Sequence, residues 1–137
     1  MAWLHATPKP DPRTRRGKNA DQVTLISRFD QLKRDKIIPQ MPPNPAPHLI
    51  ERLIEIGLTG SDGVNTKPLS WAEINEWQRS TSVTLAPWEA RLIRSLSTAY
   101  IAEGRKAESE YCPPPWRRQI TQRERDADEA RLRSVLG

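Results

Sequence analysis

The sequence predicts an all-α protein: a small helical domain of about three to five helices, with a disordered basic N-terminal arm and a charged C-terminal helix. Three observations carry that expectation. Apolar residues recur at three- and four-residue spacing through the middle of the chain. Helix-start signatures stand at Ser70-Trp71-Ala72-Glu73, at Pro87 and at Thr121-Gln122-Arg123-Glu124. No useful length of the chain alternates apolar and polar residues as a half-buried strand does.

Residues 1–20 read as the disordered arm. Pro8, Pro10 and Pro12 alternate with polar and charged residues, so little apolar surface is available to offset the entropy of ordering. Trp3 and Leu4 are the exception and are expected to dock either on this protein or on a partner. A helical domain is expected over residues 21–111. Its first helix, Asp21 to Lys36, is capped by Asn19 or Asp21 and presents Val23, Ile26 and Phe29, with Leu25 and Leu32 on the edge. Five prolines at positions 39, 42, 43, 45 and 47 make residues 37–48 an extended connector. PxxP matches occur at Pro39–Pro42 and Pro42–Pro45, and both are read as parts of a stiff spacer.

Pro47 to Ile56 is a short, very apolar helix ending at Gly57, and residues 59–68 follow as a loop. The third helix opens at Ser70 with a capping box to Glu73 and a staple between Leu69 and Ile74, and stops near Ser80. The fourth begins with Pro87 at its first position, and Trp88, Leu92, Ser95 or Leu96, Ala99 and Tyr100 recur on one face, which Ile93 widens. It frays at Gly104 or runs on to Tyr111, and Pro113–Pro115 end it. Residues 112–137 are expected as a Pro-rich linker and a charged last helix, apolar only at Leu132, Val135 and Leu136.

The charge is uneven. Residues 1–20 hold five basic side chains against one acidic, whereas residues 69–111 hold five against six. The basic arm is read mainly as a solubilising tail, because no nucleic-acid-binding module accompanies it. Chemistry is poorly served by the rest. Cys112 is the single cysteine and excludes an intrachain disulfide. His5 and His48 lack metal-ligand spacing, and Glu73, Glu76 and Glu89 are spaced along helices where capping and helix-start roles account for Glu73 and Glu89. No catalytic residue, metal or cofactor is expected. The first residues carry no apolar run of the signal-peptide kind, and no segment is long enough to span a membrane.

What remains is partner binding. Trp71, Trp77 and Trp88 fall within twenty residues, and at least two of these indoles are expected to join the two helices as core, with Trp71 at the rim. The candidate partner-binding residues are Trp71, Trp77, Trp88, Trp116, Leu132, Val135 and Leu136.

The run PLSWAEINEWQRSTSVTLAPWEARLIRSLSTAYIAE, with the LIERLIEIG lead-in before it and PPPW after it, resembles small proteins of the tail modules of tailed bacteriophages and prophages. The matching residues are Leu69-Ser70-Trp71, Glu73-Ile74, Trp77-Gln78, Leu85, Pro87-Trp88-Glu89, Leu96-Ser97 and Tyr100, and the likeness spans roughly Pro47 to Trp116. It is a resemblance to tail assembly chaperones encoded beside the tape measure gene. It implies a non-enzymatic protein of the bacterial host cytoplasm that binds the tape measure protein, the tail tube subunits or both. The alternative is a minor tail or connector protein that stays in the virion. A nucleic-acid-binding accessory protein, using the basic arm with Arg117, Arg118, Arg123 and Arg125, is less expected.

Overall fold

In the computed structural model, residues 1–18, 24–116 and 119–137 are described, and they are mostly helical with one small two-stranded sheet. In chain order the elements are α1 (Ala2–His5), α2 (Arg15–Lys18), α3 (Arg28–Arg34), α4 (Pro47–Ile56), β1 (Gly60–Ser61), β2 (Thr66–Lys67), α5 (Trp71–Thr81), α6 (Pro87–Lys106) and α7 (Gln122–Leu136). The contacts group them differently from the sequence-based division at residues 20 and 111. One unit comprises Met1–Ala2 and Pro43–Lys106, the other Trp3–Pro42 and Ala107–Gly137.

The first unit is built on an apolar core. Leu53 of α4, Leu69, Ile74 and Trp77 of the α5 region, Leu85, and Ile93 of α6 are buried together, with Ile56, Leu58, Val83, Ala90 and Leu96 packed around them. Burying a side chain of this size stabilises the fold by about 1.5–3 kcal/mol. Leu69 and Ile74 are both in this cluster, as the staple requires. Ser70 Oγ accepts the Glu73 amide at 3.1 Å and Glu73 Oε2 accepts the Ser70 amide at 2.7 Å, completing the capping box. At α6, Ala86 has no side chain able to cap, yet Glu89 Oε2 accepts the Ala86 amide at 2.8 Å, and Glu89 Oε1 pairs with Arg52 of α4 at 3.0 Å.

Ser97 is buried within this unit and satisfies two chain segments at once. Its hydroxyl donates to the Leu58 carbonyl at 2.8 Å and accepts the Leu69 amide at 2.9 Å. The stretch expected as a plain loop contains a hairpin, with Gly60 opposite Lys67 and Ser61 opposite Thr66. Strands of two residues are too short to leave an alternating pattern in the sequence. Asp62 closes the turn by accepting the Val64 and Asn65 amides at 3.1 and 2.6 Å and pairing with Lys67 at 2.6 Å. Gly60 makes room for the capping box: a Cβ there would stand 2.7 Å from both carboxylate oxygens of Glu73 and would displace that carboxylate.

The second unit is held differently. The stretch expected to be disordered is engaged over residues 3–11. The Lys9 amide donates to the Glu108 carbonyl at 2.8 Å within a parallel bridge to Ser109, and the Asp11 amide donates to Glu110 Oε1 at 2.9 Å. Arg28 is the organiser. Its guanidinium lies 4.5 Å from the Trp3 ring centre and donates to the carbonyls of Trp3 (3.1 Å), Ala107 (2.6 Å) and Ser109 (2.9 Å). Trp3 Nε1 donates in turn to the Cys112 carbonyl at 2.9 Å. Polar and cation–π contacts therefore supply what the arm lacks in apolar surface. They also explain why α6 stops at Lys106: residues 107–112 are committed to this pairing instead of continuing the helix.

The helix expected over Asp21–Lys36 is α3, much shorter, because Ser27 acts as N-cap and accepts the Asp30 amide at 3.1 Å. The caps proposed at Asn19 and Asp21, like Val23 of its apolar face, lie outside the described residues. α7 begins at the capping box of Thr121 and Glu124 and has no buried residue. Within its unit, Arg131 of α7 pairs with Asp35 at 3.2 Å.

Candidate partner-binding surface

The indoles of the first unit separate into one core residue and two surface residues. Trp77 is 8% exposed and belongs to the apolar cluster. Trp71 is 46% and Trp88 55% exposed. The expectation that at least two of the three indoles join the helices as core is therefore corrected to Trp77 alone. The rim position expected of Trp71 agrees with its exposure.

The reason lies in the phase of α6. Its buried side runs through Ile93 and Ser97, with Ala90 and Leu96 packed against the core. At about 100° per residue, Trp88, Leu92, Ser95 and Ala99 then point away from that side. Of the set that spacing assigned to the interior, Leu96 packs against the core and Tyr100 is half-buried, while Trp88, Leu92 and Ala99 face solvent; Ile93, read as widening that set, is the centre of the buried side. Trp88 and Leu92, four residues apart, stand together on that outer face. Trp71 is on a different flank of α6, where the Arg94 guanidinium lies 5.3 Å from its ring centre. That stacking covers part of the indole and leaves it accessible from outside.

In the second unit, Trp116, Leu132, Val135 and Leu136 are all exposed. The three apolar residues of α7 follow i, i+3, i+4 spacing and share one side of its final turns.

Groups with reactive potential are tied to structural partners. Glu89 accepts from Arg52 and the Ala86 amide, and His48 Nε2 lies 3.7 Å from it. Glu73 is held below the usual glutamate value, first by the Ser70 amide and then by its hydroxyl. Asp62 is likewise lowered, chiefly by Lys67 and then by the Asn65 and Val64 amides. His5 meets the edge of Phe29 at 6.4 Å. Among the described residues no group of three or more His, Cys, Asp or Glu side chains is placed to hold a metal ion. No helix among them is long and apolar enough to cross a membrane.

Two residues that organise the molecule escaped sequence reasoning. Ser97 carries no local signature, since a serine on a helix normally faces water or its own backbone. Arg28 sits beside a recognisable cap, but its carbonyl partners lie 25, 79 and 81 positions away in the chain. No protein-family model, curated protein or solved structure matches the chain.

Proposed function

We propose that this protein is a non-enzymatic tail assembly chaperone of a tailed bacteriophage or prophage, acting in the host cytoplasm by binding the tape measure protein, with tail tube subunits as second partners. The reading rests on the resemblance of Pro47–Trp116. The observation that carries it is the outer face of α6: the core of this unit closes on Trp77, leaving Trp88 and Leu92 exposed on the same helix face. A large indole beside a leucine on the water side of a stable helix is a common anchor for an apolar helical partner. Trp71, part-covered by Arg94, offers a second anchor on another flank.

Coexpression with the tape measure protein encoded beside it tests the reading. The wild-type chain is expected to keep the tape measure protein soluble and to copurify with it. The double substitution Trp88→Ser, Leu92→Ser is expected to abolish that without lowering the melting temperature. A tape measure protein equally insoluble with and without the chain would overturn the proposal. Abundant protein in purified virions would move the assignment to a minor tail component.

A further inference from the structure

The segment that follows α3 leaves the helix by a tight turn and carries exposed apolar side chains. α3 ends with Lys36 in the left-handed conformation, φ 57°. The Lys36 amide donates to the Lys33 carbonyl at 3.1 Å and the Ile37 amide to the Leu32 carbonyl at 2.9 Å. This is the Schellman arrangement, which turns the residue after the left-handed position back toward the helix. Ile37 accordingly is 7% exposed. From Ile38 to Pro43 the main chain makes no hydrogen bond among the described residues, and three of these six residues are prolines. Such chain favours the polyproline II helix, with about three residues per turn.

That period puts side chains on three edges. Ile37 and Gln40 share the edge whose first member is anchored. Ile38 and Met41 share the second, Pro39 and Pro42 the third. Ile38 is 84% and Met41 48% exposed, Pro42 is exposed and Pro39 half-buried. Two apolar–proline pairs, Ile38-Pro39 and Met41-Pro42, thus repeat one turn apart, preceded by the exposed cation of Lys36. A spacer alone would be stiff without two large apolar side chains turned to water. The overlapping match at Pro42–Pro45 lacks this form, since Asn44 replaces the second apolar residue and its Oδ1 accepts the Ala46 amide at 3.0 Å.

We infer that Lys36–Pro42 is a polyproline II ligand for a partner protein with an aromatic-lined groove, in which the two apolar–proline pairs fill successive slots and a carboxylate beside the groove receives Lys36. The inference stands apart from the tail assembly reading, because it uses residues outside the motif that carries that resemblance.

The test is a titration of the isotopically labelled full chain with a purified SH3 domain of the acidic-loop type, followed by NMR. Saturable shifts confined to residues 36–42 are expected. Pro39→Ala with Pro42→Ala should weaken binding at least about tenfold. Ile38→Ser should do the same without touching a proline, which keeps the test decisive if the double variant disturbs α3. Gln40→Ala, at a position exposed but on the edge that carries neither apolar–proline pair, should leave affinity unchanged. Absence of saturable shifts up to about 1 mM domain, shifts centred on residues 42–45, or equal losses from Gln40→Ala would each overturn the inference.

Discussion

The two units of this chain are stabilised by opposite means. In residues 43–106, Leu49, Leu53, Leu69, Ile74, Trp77, Leu85 and Ile93 are buried, and polar contacts such as Ser97 finish what apolar packing begins. In residues 3–42 and 107–137, Ile37 and Ala107 are the buried apolar side chains among the described residues, and a guanidinium with its carbonyl partners joins distant segments. Apolar burial is non-directional and tolerates small errors, whereas a hydrogen-bonded clasp depends on each donor. The first unit should therefore lose stability in proportion to buried volume, and the second should open when one residue changes.

The largest expected effect separates the tryptophans. Trp77→Ala should cost about 3–5 kcal/mol in chemical denaturation, because it leaves a cavity among Leu53, Ile74 and Ile93. Trp88→Ala, on the water side of the neighbouring helix, should stay within about 0.5 kcal/mol of wild type. Equal losses would mean that α6 is rotated from the phase described above.

Ser97→Ala comes next. It removes one hydroxyl but orphans both the Leu69 amide and the Leu58 carbonyl, so about 1–3 kcal/mol should be lost in the same measurement. A neutral result would show that water replaces the hydroxyl and that packing alone holds this junction.

Arg28→Ala tests the other unit. Hydrogen exchange at the Lys9 and Asp11 amides should accelerate, reflecting a local loss of about 1–3 kcal/mol, while exchange at the amides of Ile74 and Ile93 stays as it was. Arg28→Lys should recover little, since an ammonium cannot serve three carbonyls in the guanidinium's planar arrangement while lying over the Trp3 ring. Unchanged exchange would show that Lys9 and Glu108 hold the arm without the clasp.

The smallest effect is electrostatic. Glu73 has a folded-state pKa below its ordinary value of 4.5. It therefore contributes stability that is fully present above about pH 4.5 and is lost as pH falls through the lower folded value. Glu73→Gln should flatten that acid-side decline in melting temperature, with a modest penalty at neutral pH. An unaltered pH profile would locate the acid sensitivity elsewhere.

Much of the secondary structure was legible because its causes are local. The starts of α4, α5, α6 and α7 fall at Pro47, Trp71, Pro87 and Gln122, where proline at the first position or a capping box anticipated them. The candidate surface was less legible. Spacing marked Trp88 and Leu92 as an apolar set but assigned them to the interior, and their exposure emerges only once Ile93 is seen to take that place. A proline-rich, charged arm looked too polar to order, because the Trp3–Arg28 contact involves residues far apart in sequence and has no pattern within either segment.

The sequence by itself determined where helices begin, since a cap is settled by side chains and amides within one turn. It also determined that residues 37–46 form no regular element, since proline removes the donors a ladder would need. Only the tertiary structure decided which side of α6 is inside and whether the arm is held. Leu92 and Ile93 are neighbours of similar hydrophobicity, and the choice between them depends on the surface that Leu53, Leu69, Ile74 and Trp77 present together. The arm's order depends likewise on carbonyls at positions 107 and 109, which meet Arg28 only after the chain has folded.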